Sequence, residues 1–147
     1  MSREYPIIAV TGSSGAGTTT VKRSFERMFL REDVHAAMVD GDAFHRYTRD
    51  DLHRIFREEP ERKDELSHFA VEANLLDRLE GLFSEYGEHG SGTFRHYIHA
   101  EDKQKIEAGC RVGTFTEWQS LPCGTDLLFY EGLHGGLVTE EYDIARH

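Results

Sequence analysis

Short apolar runs alternate with longer amphipathic stretches in the first third of the chain. Residues 7–10 are mostly β-branched and are followed by Gly12, a pattern that predicts a buried first strand. Apolar side chains then recur at helical spacing, which predicts a helix over residues 18–31. A second apolar run at residues 36–39 predicts another strand, leading into an Asp-Gly-Asp turn.

Two further helices follow from local signals. Thr48 and Asp51 have the spacing of a capping box, with aspartate in place of the usual glutamate, and an apolar face follows them. Residues 75–86 form the clearest amphipathic pattern of the chain, and Gly87 is predicted to end that helix. The apolar face of this helix is expected to pack in the core.

The second half of the chain contains two candidate strands. Residues 93–99 are compatible with a strand, and residues 127–130 form a continuous apolar run typical of a strand buried on both faces. Strands that alternate with helices predict an α/β fold with a mostly parallel sheet and helices on both faces. The second strand is expected to lie beside the first, with ligands at the carboxyl ends of the strands.

Composition narrows the class of protein. The chain has 147 residues, enough for one α/β domain over residues 1–147. Its formal net charge of −10 disfavours binding to nucleic acid or to anionic membranes. No apolar run is long enough to span a bilayer, and the first residues lack a secretory signal pattern, so we expect a cytoplasmic protein.

The strongest chemical signal lies between the first predicted strand and the first predicted helix. Glycines there allow a tight turn whose backbone N–H groups face a phosphate, and the helix N-terminus adds its dipole. The hydroxyl of Thr19 would occupy the position that ligates Mg²⁺ in the usual motif. The predicted nucleotide-binding residues are Gly12, Ser13, Ser14, Gly15, Ala16, Gly17, Thr18 and Thr19.

This loop departs from the usual phosphate-binding motif at one position. Thr18 stands where a lysine ordinarily neutralises the β- and γ-phosphates, so another cation has to do so. Lys22 lies one helical turn further on, but we interpret it as an exposed helix lysine. Arg46 and Arg49 are the alternatives within the chain.

Acidic residues follow two of the predicted strands. Asp42 could accept the proton of an attacking hydroxyl. Asp40 lies two residues before it, and either aspartate could instead be a residue of the turn. Glu131 directly follows the buried apolar run, as a carboxylate that holds Mg²⁺ does in many nucleotide-binding proteins. His45, Arg46 and Arg49 follow Asp42 closely and could bind an anionic acceptor such as a sugar phosphate.

Several of these segments together resemble the bacterial phosphoribulokinase family, which belongs with the uridine kinases among the P-loop kinases. The resemblance extends along the whole chain, and the replacement of the usual lysine by Thr18 matches that family's own variant. The segments that carry it are residues 6–19, 41–46, 113–118 and 128–135.

The resemblance implies an activity and a set of roles. The reaction would be ATP-dependent phosphorylation of D-ribulose 5-phosphate at its 1-hydroxyl, giving ribulose 1,5-bisphosphate for carbon fixation. Asp42 would be the catalytic base, and Thr19 and Glu131 would bind Mg²⁺. His45, Arg49 and His99 would contact the sugar phosphate. Family members are oligomers, so a homo-oligomer is also implied.

Length leaves other functions open. Members of the resembled family are about twice as long, so this chain is expected to correspond to their N-terminal half, with a truncated sheet. One alternative is a kinase of the uridine or pantothenate type, which would share the loop and the base. The other is a truncated ATP-binding module without catalysis.

Overall fold

The computed structural model describes residues 4–12, 16–67 and 69–147. Its strands are β1 (Ile7–Thr11), β2 (Ala36–Asp40), β3 (Thr93–Phe94), β4 (Gln119–Ser120) and β5 (Leu127–Gly132). Its α-helices are α1 (Thr18–Arg31), α2 (Arg49–Glu58), α3 (Leu76–His89) and α4 (Lys103–Glu107). No helix within the described residues is both long enough and apolar enough to cross a membrane.

The main sheet has three parallel strands in the order β1-β5-β2. Tyr130 of β5 is paired with Ala9 on one side and with Val39 on the other. The expectation that β2 lies beside β1 was therefore wrong. The burial of β5 explains the difference, because Leu128, Phe129 and Tyr130 are each at most 1% exposed. A strand is covered on both faces and both edges only when it lies in the middle of a sheet.

Helices cover both faces of this sheet, as predicted. The Phe129 ring lies 5.0 Å from that of Phe25 and 5.7 Å from that of Phe29, both on α1. The neighbouring Tyr130 ring lies 5.4 Å from Phe83 of α3. Because consecutive strand residues point to opposite faces, α1 and α3 lie on opposite sides of β5.

Helix α3 extends beyond the predicted stop at Gly87. It continues to His89 and is closed by Gly90, whose φ of 65° places it in the left-handed region. A Cβ at Gly90 would lie 2.5 Å from the ring of Tyr5, so this position requires glycine on steric grounds as well. The local pattern of residues 75–90 does not show this contact with Tyr5.

The remaining elements are short. The predicted capping box of α2 is present: the Thr48 hydroxyl accepts the Asp51 N–H, and the Asp51 carboxylate accepts the Thr48 N–H. The predicted strand over residues 93–99 is regular only at β3, which pairs with β4. Beyond β3 the chain makes an isolated bridge between Tyr97 and Phe115, and His99 reaches the edge of the main sheet where β2 ends.

Candidate active site

A cleft of about 460 Å³ lies at the carboxyl ends of the parallel strands. This is the edge at which ligands collect in open α/β sheets. The residues that line it are Gly12, Thr18, Thr19, Lys22, Asp40, Asp42, His45, Phe69, His99, Glu101, Glu131, Gly132 and Leu133. It brings together the end of the predicted phosphate loop, the candidate base and both candidate metal ligands.

The described end of the turn before α1 contains a glycine in the left-handed region. Gly17 has a φ of 83°, and its carbonyl accepts the N–H groups of Thr20 and Val21, which starts the helix at Thr18. Gly12, Thr18 and Thr19 line the cleft. The predicted residues Ser13, Ser14 and Gly15 lie outside the described residues.

Asp42 lies between two histidines. Its Oδ1 is 3.6 Å from Nε2 of His45, and its Oδ2 is 3.6 Å from Nε2 of His99. Asp42 belongs to the 3-10 turn Gly41–Phe44 that follows β2, and its backbone N–H donates to Oδ1 of Asp40 at 3.0 Å. Asp40 thus caps the turn through Oδ1, and both Asp40 and Asp42 line the cleft.

Close backbone packing fixes this turn against the end of β5. A Cβ at Gly41 would lie 2.8 Å from the Cα of Gly132 and 2.6 Å from the hydroxyl oxygen of Tyr130. Burial raises the pKa of Tyr130, and the His134 backbone hydrogen-bonds to its hydroxyl. The two glycines therefore let the strand ends meet around one buried hydroxyl, which sets the spacing of the segments that carry Asp42 and Glu131.

Lys22 is placed differently from the prediction. Its side chain is only 23% exposed, and its Nζ lies 4.0 Å from Oδ2 of Asp40. It lies on the cleft rather than on the outer face of α1. The signal in the sequence was its spacing of four residues from Thr18, which puts both side chains on one face of the helix.

A second, smaller pocket of about 250 Å³ adjoins the cleft, and His45 lines both. Arg49 lines this pocket and not the main cleft, and Tyr47 and Tyr97 line the same pocket. Arg46 lines neither of the two pockets in the described part of the chain. Its guanidinium donates to the carbonyls of Glu72 and Asn74, which makes it structural.

Arg95, which was not predicted as a site residue, binds the backbone of the segment that carries Asp42 and His45. Its guanidinium donates to the carbonyls of Ala43 at 2.8 Å and of His45 at 2.7 Å, and it stacks 3.6 Å from the centre of the Phe115 ring. Burial lowers the pKa of Arg95. These contacts hold the backbone on both sides of Phe44, and so the turn that contains Asp42.

The side chains of the cleft suit a hard divalent cation. Thr19 and Glu131, the predicted ligands, both offer oxygen donors to it. Asp40, Asp42 and His99 form a second group, with one donor atom from each lying within 4.8 Å of the others. Oxygen donors dominate the set, which fits Mg²⁺ better than a thiolate- or imidazole-bound metal.

Comparison with known proteins agrees with this geometry. Phosphoribulokinases from Nitrobacter vulgaris and Sinorhizobium medicae are 51% and 50% identical to the chain, and each match covers all of it. The chain spans 51% and 50% of the length of those two relatives. It therefore corresponds to about half of each relative.

Solved structures show the same likeness. A phosphoribulokinase from Rhodobacter spheroides superposes with a TM-score of 0.82 at 44% identity, over 99% of this chain and 49% of that one. A D-glycerate 3-kinase from Cryptococcus neoformans has a TM-score of 0.54 at 14% identity, which supports the fold alone. The model of the phosphoribulokinase / uridine kinase family matches residues 7–147, and the chain belongs to that family.

Proposed function

We propose that the protein takes part in the transfer of the γ-phosphoryl group of ATP to the 1-hydroxyl of D-ribulose 5-phosphate, a reaction of the Calvin cycle. The observation that carries the proposal is the position of Asp42, held between two histidines in a cleft that also contains the end of the phosphate loop. The names of the relatives supply the acceptor. We place the reaction in the cytoplasm.

The nucleotide would bind at the carboxyl end of β1. The loop over residues 12–19 and the N-terminus of α1 would surround its phosphates with backbone N–H groups. Thr19 and Glu131 would hold Mg²⁺. When bound, that ion neutralises charge that builds up on the phosphate oxygens during transfer.

Asp42 would take the proton from the attacking hydroxyl. The Nε2 atoms of His45 and His99 each lie 3.6 Å from a different oxygen of its carboxylate, so one histidine flanks each oxygen. A carboxylate has about four lone-pair positions, which leaves room for the acceptor hydroxyl beside both histidines. The acceptor oxygen would bond to the γ-phosphorus as the bond between that phosphorus and ADP breaks, and its proton would move to Asp42.

The second pocket would bind the phosphate of the acceptor. Arg49 supplies a planar guanidinium suited to a phosphate group, and His45 forms the wall shared with the cleft. An extended sugar phosphate could thus lie with its phosphate near Arg49 and its reacting hydroxyl near Asp42. Arg49 would distinguish a sugar phosphate from an uncharged nucleoside.

The direct test is ADP release from Mg-ATP, measured with ribulose 5-phosphate, uridine and pantothenate as separate acceptors. We expect turnover with ribulose 5-phosphate and a loss of about 100- to 10,000-fold in the Asp42→Asn variant. Asp64→Asn is the matched control, since Asp64 is exposed and lies outside the cleft.

Three results would change the proposal. Preference for uridine or pantothenate would assign the chain to another kinase activity. Equal rates in the Asp42→Asn variant and the unmodified chain would remove Asp42 from the mechanism. Folded protein that binds ATP and phosphorylates none of the three acceptors would identify a binding module.

A further inference from the structure

The candidate nucleotide cleft carries an unfavourable balance of charge for a polyanion. Four carboxylates line it, those of Asp40, Asp42, Glu101 and Glu131. Among the described residues, Lys22 is the one lysine or arginine side chain that reaches it. A nucleoside triphosphate bound there would meet repulsion from the carboxylates unless cations lie between them and the phosphates.

The usual cation of such a site is missing from the motif. Thr18 occupies the lysine position of the loop and contributes a neutral hydroxyl. Other basic side chains nearby have different contacts: Arg46 and Arg95 donate to backbone carbonyls, and Arg49 lies in the second pocket. None of these three lines the cleft, so they do not replace the lysine in the described structure.

The Lys22 side chain is directed into the cleft by its place on α1. The next residue on the helix, Arg23, is exposed to solvent, whereas the Lys22 side chain is 23% exposed. The Lys22 Nζ is 4.0 Å from Oδ2 of Asp40, which is too long for a hydrogen bond. Its N–H donors can therefore bind phosphate oxygens, while the charge of Asp40 attracts the ammonium group toward the cleft.

We propose that Lys22 supplies the positive charge to the β- and γ-phosphates that the loop itself lacks, and so acts as a catalytic residue. The inference rests on the proposed ATP site. One helical turn separates Lys22 from Thr18, so a long side chain starting on α1 reaches back toward the same phosphates as the missing loop lysine. Asp40 is the group that positions it.

The test measures the affinity of the whole 147-residue chain for ATP, ADP and AMP by calorimetry with Mg²⁺ present. In the Lys22→Met variant, ATP affinity should fall by about 10- to 100-fold, the factor expected for a hydrogen bond between charged groups. AMP has only the α-phosphate, so its affinity should stay within about twofold. Lys22→Arg should keep most of the ATP affinity.

Arg23→Met is the matched control, because it removes one positive charge from the adjacent, exposed position of the same helix. It should leave all three affinities unchanged. Equal losses in the Lys22→Met and Arg23→Met variants would show a general charge effect and overturn the assignment. An unchanged ratio of ATP to AMP affinity in Lys22→Met would also overturn it.

This result is separable from failure of the proposed function. If the unmodified chain binds no ATP, the ATP site itself is wrong and the role of Lys22 is refuted with it. If the unmodified chain binds ATP and Lys22→Met binds it equally well, only the role of Lys22 is refuted. Thermal unfolding of each variant verifies that the affinities compare folded proteins.

Discussion

Replacing Gly41 by alanine tests how tightly the two strand ends must meet. The new Cβ would lie 2.8 Å from the Cα of Gly132, 2.6 Å from the hydroxyl oxygen of Tyr130 and 3.1 Å from its Cζ. Carbon atoms normally approach no closer than about 3.5 Å, so the two backbone segments have to separate by about 0.7 Å. Neither segment is the flexible end of a side chain.

The expected cost follows from two opposing effects. Overpacking of this kind destabilises a fold by about 1–3 kcal/mol. The lower backbone entropy of alanine in the unfolded chain offsets about 0.4–1 kcal/mol of that. We therefore expect the free energy of unfolding of Gly41→Ala to fall by about 1.3 kcal/mol at the middle of these ranges, and by about 2.6 kcal/mol at most.

The same shift should impair activity more than stability. Asp42 follows Gly41 directly, and its two contacts with histidine nitrogens are each 3.6 Å long. Displacements approaching 1 Å at a reacting group can reduce rates by about 100-fold. Tyr130→Phe in the Gly41→Ala background removes the atom nearest the new Cβ, so the two changes should be less destabilising together than their sum.

Urea unfolding and the ADP-release assay measure the two effects. Gly81→Ala is the control, because its Cβ would have no neighbour within 4 Å and it lies inside α3. That variant should be stabilised by about 0.5–1 kcal/mol. If Gly41→Ala is as stable and as active as Gly81→Ala, or if its cost simply adds to that of Tyr130→Phe, the close-packing argument is refuted.

Two predictions concern residues that do not line the cleft. Thr48→Ala removes one half of the α2 capping box and should lower the free energy of unfolding by about 1 kcal/mol in urea titrations, whereas Thr48→Ser should retain the cap; equal losses would contradict it. Burial lowers the pKa values of His96 and His134 below 6.5, so both stay neutral in the fold where the unfolded chain binds protons. Stability should therefore fall as the pH drops below 6.5, and His96→Gln should reduce that fall when urea midpoints at neutral and mildly acidic pH are compared; an unchanged pH dependence would remove His96 as a cause.

Much of the local structure could be predicted because its determinants are neighbours in the chain. The helix over residues 18–31 has the predicted bounds, since the glycine before it and the apolar spacing within it are local signals. The capping box of Thr48 and Asp51 is likewise a contact between residues three apart. The candidates Asp42 and Glu131 line one cleft because β2 and β5 end at the same edge of the sheet, whereas Phe69 and Glu101, which also line it, were not predicted.

The predictions that were wrong concern features that depend on contacts between residues far apart in the sequence. Gly87 was predicted to end α3, but the left-handed conformation falls at Gly90, beside Tyr5 from the other end of the chain. Lys22 of α1 lies 4.0 Å from Asp40 of β2, a contact between elements that its position on the helix alone does not show. The order of the strands depends on β5, and the apolar run of a strand does not reveal its partners.

The central position of β5 has a consequence for how the chain folds. Both ladders of the main sheet pair β5 with strands that precede it by most of the chain: Leu128 is aligned with Ile7 on one side and with Ala37 on the other. During synthesis, β1 and β2 therefore emerge long before the strand that joins them. Such a topology has a high contact order and closes a large loop before sheet pairing begins, so we expect the parallel sheet to form late and cooperatively rather than strand by strand.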